Sequence, residues 1–237
     1  MTLLGVPAMT PEEYATHYDM ALLAPDVTES AIREAAQQAV DTGVYGFVFN
    51  PCWTTTVVGM FEDTGVVPCA CISFPYGTMT STMKARETAE ALEQGARGID
   101  LVTNVGANKG GTLALVGAEV AVLARLCRAA GADSKVIFEV GFLTDDQIAT
   151  LTRICCDEGI TYVKTATGSQ AFPTDAQVDL MLANLTGDTK LKVSGVPRTF
   201  TLAASLWMLD RGVDLIGTRS APALVAQYRA WLAARSG

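Results

Sequence analysis

The feature that most constrains the fold of this chain is a repeated pattern: an amphipathic helical segment, then a glycine, then a short apolar run. Residues 28–42 place apolar side chains at helical spacing, Gly43 suits the end of that helix, and the apolar run 45–49 follows. Asp26 and Glu29 have the spacing of a capping box at the start of the helix. Short strands that alternate with helices require crossover connections, so the pattern predicts a parallel sheet.

The pattern recurs along the whole chain. Without a linker or a break in composition, it predicts a closed (β/α)8 TIM barrel, an eight-stranded parallel α/β fold formed by residues 1–237 as a single domain, with a short N-terminal helical extension. The alternative is a doubly wound open sheet, but no GxGxxG or phosphate-loop lysine motif supports that sheet as a nucleotide binder. The expected strands cover residues 18–23, 45–49, 68–74, 99–102, 136–140, 160–164, 191–193 and 213–216. The expected helices cover 28–42, 80–94, 113–130, segments opening at Thr144 and Thr174, 200–211 and 222–234.

Composition excludes several classes of function. A formal net charge of −8 provides no basic field for nucleic acid, and no apolar segment reaches the roughly 18 residues of a membrane span. The start, from Met1 to Pro11, has no basic region followed by a long apolar run, and the six cysteines form no CxxC pair. We therefore expect reduced thiols and a cytoplasmic protein. The single histidine, His17, argues against a His-rich zinc site, and no clustered acidic motif suggests another metal.

Polar residues end or interrupt several of the expected strands. Asp19 lies in the first strand, Asp100 in the fourth and Glu139 in the fifth. Lys164 and Lys192 lie in the sixth and seventh. In a barrel, such residues gather at the carboxyl ends of the strands. Mutual repulsion between two neighbouring lysines lowers the pKa of one or both, which leaves a neutral amine that can form a Schiff base while a carboxylate moves protons.

Each of these residues also has an ordinary structural interpretation. Lys164 is equally well read as an exposed strand end, and Glu139 as a group that binds backbone amides at the barrel mouth. Alternation sends Lys190 and Lys192 to the same face of their strand, with Lys190 at its wet N-terminal end. The pattern leaves open whether that face points into the barrel or outward against the helices.

The last strand leads into a candidate anion site. Gly217, Thr218, Arg219 and Ser220 precede a helix with Pro222 in its first turn. Exposed backbone N–H groups and the helix dipole favour a phosphate or carboxylate there, and the loops after strands seven and eight are the usual phosphate site of this fold. The alternative is that Ser220 simply caps the helix.

The chain resembles the deoxyribose-phosphate aldolases, a family of class I, Schiff-base aldolases with a (β/α)8 barrel. The resemblance extends from Asp19 to the last helix, and the lysine segment VKTATG is its most specific motif. The motifs are YDMALL (18–23), FNP (49–51), FPYG (74–77), IDLVTNVG (99–106), VKTATG (163–168), LKVSG (191–195) with Arg198 and Thr199, and IGT (216–218).

The resemblance implies an aldehyde-lyase that reversibly cleaves 2-deoxy-D-ribose 5-phosphate to acetaldehyde and D-glyceraldehyde 3-phosphate in deoxyribonucleotide catabolism. It implies no cofactor or metal, and a homo-oligomer, such as a dimer. Lys164 matches the Schiff-base lysine, Lys192 the second lysine that perturbs the first and assists proton transfer, and Asp100 the acid/base that shuttles protons through water. The matching positions for substrate binding are Asp19, Thr167, Gly168, Gly195, Gly217, Arg219 and Ser220.

The sequence departs from the family in the parts that recognise substrate. Ala21 replaces the threonine that usually follows the first-strand aspartate. Val196 and Pro197 follow Gly195 where the family usually has paired glycines, and Arg219 with Ser220 replaces a pair of serines. Val196 adds bulk and Pro197 removes a backbone donor, whereas Arg219 can bind an anion bidentately. Two further hypotheses follow: an aldolase with an altered acceptor aldehyde, and a non-catalytic barrel that binds a small anion.

Overall fold

Eight parallel strands form a closed barrel in which each strand pairs with the next along the chain and the eighth pairs with the first. The structure is a computed structural model that describes residues 9–169, 172–197 and 200–236. Arg198 and Thr199 of the seventh-strand motif, and most of the segment from Met1 to Pro11, therefore lie outside the described residues. The barrel predicted from the repeated pattern is confirmed, and the open-sheet alternative is wrong.

The strands are β1 Tyr18–Leu22, β2 Gly46–Phe49, β3 Val67–Ile72, β4 Gly98–Val102, β5 Asp133–Ile137, β6 Tyr162–Lys164, β7 Lys190–Val193 and β8 Leu215–Gly217. The helices are α1 Pro11–Ala15, α2 Glu29–Thr42, α3 Thr54–Val58, α4 Ser81–Glu93, α5 Val105–Lys109, α6 Leu113–Ala130, α7 Asp145–Asp157, α8 Asp175–Ala183, α9 Leu202–Asp210 and α10 Ala221–Ser236. The helix α1 is the N-terminal extension expected from the sequence. The short helices α3 and α5 were not predicted.

The predicted bounds of β5 are wrong by three residues at each end. The strand begins at Asp133, whose carboxylate accepts the Tyr45 hydroxyl at 2.6 Å, and it includes the charged residue Lys135. It ends at Ile137, because Glu139 adopts a left-handed conformation with φ of 58°. Glu139 therefore lies in the turn after β5, and its predicted place within the strand is also wrong.

The cap of α2 and the end of β3 also differ from the prediction. Thr28, and not Asp26, caps α2, because its hydroxyl accepts the Ala31 N–H at 3.3 Å. The strand β3 stops at Ile72, two residues before the predicted end, because Ser73 has a φ of 58°. The other strand bounds agree with the prediction to within two residues.

The barrel has two apolar regions with different neighbours. The larger one lies between the sheet and the surrounding helices, where residues such as Phe47, Ile99 and Val163 are fully buried. A smaller cluster fills part of the barrel interior: Val48, Cys69, Cys71, Val102 and Ile137. The interior also holds fully buried charged side chains, which form the candidate site. None of the described helices has the length and hydropathy needed to cross a membrane.

Candidate active site

A cavity of about 830 Å³ opens at the carboxyl ends of the strands. Its lining includes the amine-bearing side chains of Lys164 and Lys192, whereas Asp100 is fully buried beneath them. The structure therefore brings Asp19, Asp100, Lys164 and Lys192 together at one mouth, whereas Glu139 does not line the cavity. All seven positions predicted to bind substrate also line the cavity: Asp19, Thr167, Gly168, Gly195, Gly217, Arg219 and Ser220.

Lys164 is the last residue of β6, and its side chain is only 5% exposed. Its Nζ donates to Asp100 Oδ2 at 2.7 Å. The interpretation of Lys164 as an exposed strand end is therefore wrong. A buried ammonium group needs such a carboxylate partner, and the position at the cavity floor makes this amine accessible to a bound aldehyde.

Lys192 also faces into the barrel and is fully buried on β7. Its Nζ donates to Asp100 Oδ2 at 2.8 Å and to Asp19 Oδ2 at 2.5 Å. Burial lowers the pKa of Lys192, but the charges of Asp100 and Asp19 outweigh it, and the net pKa is raised. A lowered pKa was expected for one or both of the two lysines, and at Lys192 the pKa is raised instead. Lys190, at the start of the same strand, is exposed as predicted.

Sequence reasoning missed a third lysine, Lys135, which is completely buried inside the barrel. Its Nζ lies 3.4 Å from Asp100 Oδ1 and 3.7 Å from Asp19 Oδ2, and it donates to Cys69 Sγ at 3.1 Å. Burial lowers the pKa of Lys135, but Cys69 and the two carboxylates outweigh it and raise this pKa well above its usual value. The available signal was strand register, since Lys135 pairs directly with Asp100 and therefore shares its inward face.

Asp100 is the centre of this network. Burial raises the pKa of its carboxyl group, but the charges of Lys164, Lys192 and Lys135 outweigh burial and hold the pKa well below its usual range. Asp100 is therefore ionised at neutral pH. Burial also raises the pKa of Cys69 to about 12, so its thiol is neutral there.

Asp19, Cys69 and Asp100 offer three atoms within 4.8 Å of one another that resemble a set of metal ligands. Both carboxylates already pair with ammonium groups, and a divalent cation among them would face three positive charges. The donor set therefore fits lysine side chains better than a metal ion.

The loops after β6 and β7 are joined by hydrogen bonds and by close backbone packing. Ser194 Oγ donates to Ala166 O at 2.6 Å, and Thr165 Oγ1 donates to Ser194 O at 2.8 Å. Gly168 and Gly195 have φ values of 79° and 75°, and a Cβ built on Gly168 would lie 3.0 Å from Gly195 Cα. Both positions therefore require glycine, because a side chain at either one would meet the facing loop and strain the backbone.

The end of β8 and the loop that follows it lie beside the end of β7 and have the features of an anion site. Ser220 precedes α10, and its carbonyl accepts the Leu224 N–H at 3.0 Å, so the predicted helix start is confirmed within one residue. Arg219 is exposed and lines the cavity, as do Val196 and Pro197. A Cβ on Gly217 would lie 2.8 Å from Ser194 Cβ and 3.3 Å from Lys192 Cε, so glycine at this position allows the end of β8 to pack closely against the end of β7.

Glu139 does not line the cavity but contacts a residue that does. Its Oε2 accepts the backbone N–H of Thr167 at 3.1 Å. The interpretation of Glu139 as a group that binds a backbone amide is confirmed, whereas the expectation that its side chain points into the mouth with the other polar residues is wrong.

Comparisons with known proteins agree over almost the whole chain. No protein-family model matches it. A deoxyribose-phosphate aldolase from Methanothermobacter thermautotrophicus is 34% identical over 222 residues, which cover 93% of this chain and 97% of that protein. A deoxyribose-phosphate aldolase from Micrococcus luteus is 33% identical over 225 residues, covering 92% of this chain and 97% of the relative.

Solved structures give the same result. An aldolase named QR15 superposes with a TM-score of 0.84 at 27% identity, covering 93% of this chain and 97% of that one. A tetrameric deoxyribose phosphate aldolase from Aeropyrum pernix superposes with a TM-score of 0.82 at 27% identity, covering 94% of this chain and 93% of that one.

Proposed function

The chain belongs to the deoxyribose-phosphate aldolase family, and on that premise we propose that it cleaves 2-deoxy-D-ribose 5-phosphate to acetaldehyde and D-glyceraldehyde 3-phosphate through a Schiff base on Lys164. The observation that carries the proposal is the position of Lys164 at the cavity floor, with its Nζ 2.7 Å from Asp100. The relatives do not favour an altered acceptor aldehyde or a non-catalytic barrel, since they are named for the aldolase reaction.

The charges of the buried cluster support Lys164 as the nucleophile. Three lysines surround two aspartates, so the fully ionised cluster has one positive charge in excess. Lys192 and Lys135 each lie near both carboxylates, whereas Lys164 pairs with Asp100 alone. A Schiff base requires Lys164 to react as a neutral amine, and the charges of the two remaining lysines then balance those of the two carboxylates.

In the proposed reaction, Lys164 Nζ attacks C1 of the open-chain aldehyde, and loss of water gives an iminium ion. A base removes the proton of the C3 hydroxyl, the C2–C3 bond breaks, and its electron pair moves to the iminium nitrogen as an enamine forms. Glyceraldehyde 3-phosphate leaves. Protonation of the enamine at C2 and hydrolysis of the resulting iminium release acetaldehyde and the free lysine.

Asp100 and Lys192 lie where these proton transfers are needed. Asp100 Oδ2 contacts both Lys164 and Lys192, so a proton can pass among the three groups or through a water beside them. The raised pKa of Lys192 keeps its ammonium charged at neutral pH, which makes it a proton donor and not a second nucleophile.

We assign the phosphate to the end of the cavity formed by Gly217, Arg219 and Ser220. The backbone at the N-terminus of α10 favours an anion, and the guanidinium of Arg219 adds two donors in a fixed geometry. This arrangement compensates for Pro197, which has no N–H to offer to the substrate.

The activity assay follows acetaldehyde release from 2-deoxy-D-ribose 5-phosphate. The proposal predicts turnover by the native chain and loss of at least about a thousandfold in kcat for Lys164→Met, because Lys192, the other described lysine that lines the cavity, is paired with both Asp100 and Asp19. Turnover that survives Lys164→Met would overturn the proposed role of this lysine.

Two properties of the assembled protein complete the proposal. All six cysteines are unpaired, which supports a cytoplasmic location. The relative from Aeropyrum pernix is tetrameric, which supports a homo-oligomer here. Light scattering coupled to size-exclusion chromatography tests the second point, and a mass of one chain would contradict it.

A further inference from the structure

Glu139 is a buried carboxylate that the proposed reaction does not use. It is 1% exposed, and its backbone has a φ of 58°, a conformation that L residues other than asparagine and aspartate seldom adopt. Burial raises the pKa of Glu139, and its contacts with Thr167 and the charge of Lys164 offset only part of that rise. A glycine at position 139 would adopt this conformation without strain, so we expect the glutamate side chain to have a specific role.

The side chain has one specific partner. Its Oε2 accepts the Thr167 N–H at 3.1 Å, and Oε1 makes no hydrogen bond to any residue that the structure describes. On both sides of Glu139 the backbone is fixed to the nucleophile segment, since Phe138 N donates to Lys164 O at 3.0 Å and Val140 N donates to Thr165 O at 3.1 Å. The carboxylate of Glu139 adds a contact with Thr167, which lies beyond the end of β6.

Thr167 and the adjacent Gly168 form part of the cavity wall. Gly168 packs directly against Gly195, which belongs to the loop after β7. A shift of Thr167 would therefore move both loops, while Lys164 itself would remain held by Asp100 and by the β6 pairing.

We propose that Glu139 is a positioning residue that fixes the Thr167–Gly168 turn, and through Gly195 the facing loop, by accepting the Thr167 N–H. The turn then holds the part of the substrate beyond the imine carbon. The identity of the substrate depends on the proposed aldolase function, whereas the role of Glu139 in fixing the turn does not. The bond depends on the length of the side chain, because only one oxygen at that reach meets the amide.

Three variants separate length from charge. Glu139→Gln keeps an oxygen at the same reach, Glu139→Asp keeps the charge but is shorter, and Glu139→Gly removes the side chain while it suits the backbone conformation. For cleavage of 2-deoxy-D-ribose 5-phosphate, we expect Glu139→Gln to stay within about threefold of the native KM, and the other two to raise KM by about tenfold or more. Borohydride trapping of acetaldehyde on Lys164 should change by less than about twofold in all three, because it needs only the amine.

Hydrogen exchange supplies a readout that is independent of activity. The Thr167 and Gly168 amides should exchange faster in Glu139→Asp and Glu139→Gly, and at the native rate in Glu139→Gln. The proposal would be overturned if these amides exchanged faster in Glu139→Gln but at the native rate in Glu139→Asp. The charge of the side chain, and not its length, would then hold the turn. An equal loss of trapping and cleavage would also overturn it, because that pattern indicates a merely structural role. If the native chain shows no cleavage, the proposed function fails, while hydrogen exchange still decides the role of Glu139.

Discussion

Lys164 and Lys192 share one acceptor atom: their Nζ atoms lie 2.7 and 2.8 Å from the same oxygen, Asp100 Oδ2. The two lysines nevertheless differ, because Lys192 also contacts Asp19 at 2.5 Å. Both amines line the cavity, but Lys192 is held as a cation by two carboxylates, whereas Lys164 pairs with one carboxylate in the part of the chain that the structure describes.

This asymmetry predicts different effects on stability. Among the residues that the structure describes, Lys192→Met leaves Asp19 with Lys135 at 3.7 Å as its one cationic partner, so we expect a loss of about 3–5 kcal/mol in the free energy of unfolding. Lys164→Met leaves both carboxylates with Lys192 and should cost about 1 kcal/mol or less. Urea denaturation of the two variants measures the difference, and equal losses or the reverse order would contradict the assignment.

The lowered pKa of Asp100 predicts how stability falls in acid. In the unfolded chain, an aspartate has a pKa of about 3.9, so its contribution is complete above that pH and is lost as the pH falls through the folded-state pKa. We expect the free energy of unfolding to fall between pH 4 and 2 by up to about 1.4 kcal/mol per pH unit more in the native chain than in Asp100→Asn. Identical slopes in acid denaturation would show that Asp100 is not stabilised as an anion.

The contact between Gly168 and Gly195 predicts a local requirement for glycine. Gly195→Ala would place a Cβ 3.0 Å from that of Ala166, at a φ of 75°. Gly187→Ala is the matched control, because Gly187 has a φ of 63° but nothing within 4 Å of the added Cβ. We expect the control to cost about 1 kcal/mol, and Gly195→Ala about 1–3 kcal/mol more together with a raised KM. The account of the cavity wall is wrong if the two variants have the same stability and KM.

Arg219 is predicted to act on the phosphate alone. In the described part of the chain its guanidinium makes no ion pair, so it is free to bind the substrate. Arg219→Met should raise KM for 2-deoxy-D-ribose 5-phosphate by about tenfold to a hundredfold and leave cleavage of unphosphorylated deoxyribose unchanged. Arg219→Lys should recover only part of the loss, because it keeps the charge but not the bidentate geometry. Equal losses with both sugars would assign Arg219 a different role.

The sequence predicted the barrel because helices that end at a glycine recur before short apolar runs, and the apolar runs along the chain add up to the eight strands of the closed sheet. It also predicted Lys164, Lys192 and Asp100, which stand out as charged residues in apolar runs. Lys135 was missed because it lies in the polar segment Asp133-Ser134-Lys135, and a polar segment is read as a loop unless its pairing with β4 is known.

The electrostatics were also beyond the sequence. The sequence indicated repulsion between two lysines, which lowers their pKa values. The carboxylates that raise the pKa of Lys192 instead come from strands far away in the sequence, Asp19 on β1 and Asp100 on β4. The placement of Glu139 was wrong for a related reason, since its left-handed backbone ends the strand although the apolar pattern continues through Val140.

Reductive trapping with acetaldehyde tests the central claim most directly. When the native chain is treated with acetaldehyde and borohydride, mass spectrometry should find a single ethyl group on the peptide that contains Lys164, and none in Lys164→Met. No adduct, or an ethyl group on Lys192 or Lys135 instead, would contradict the assignment of Lys164 as the Schiff-base lysine.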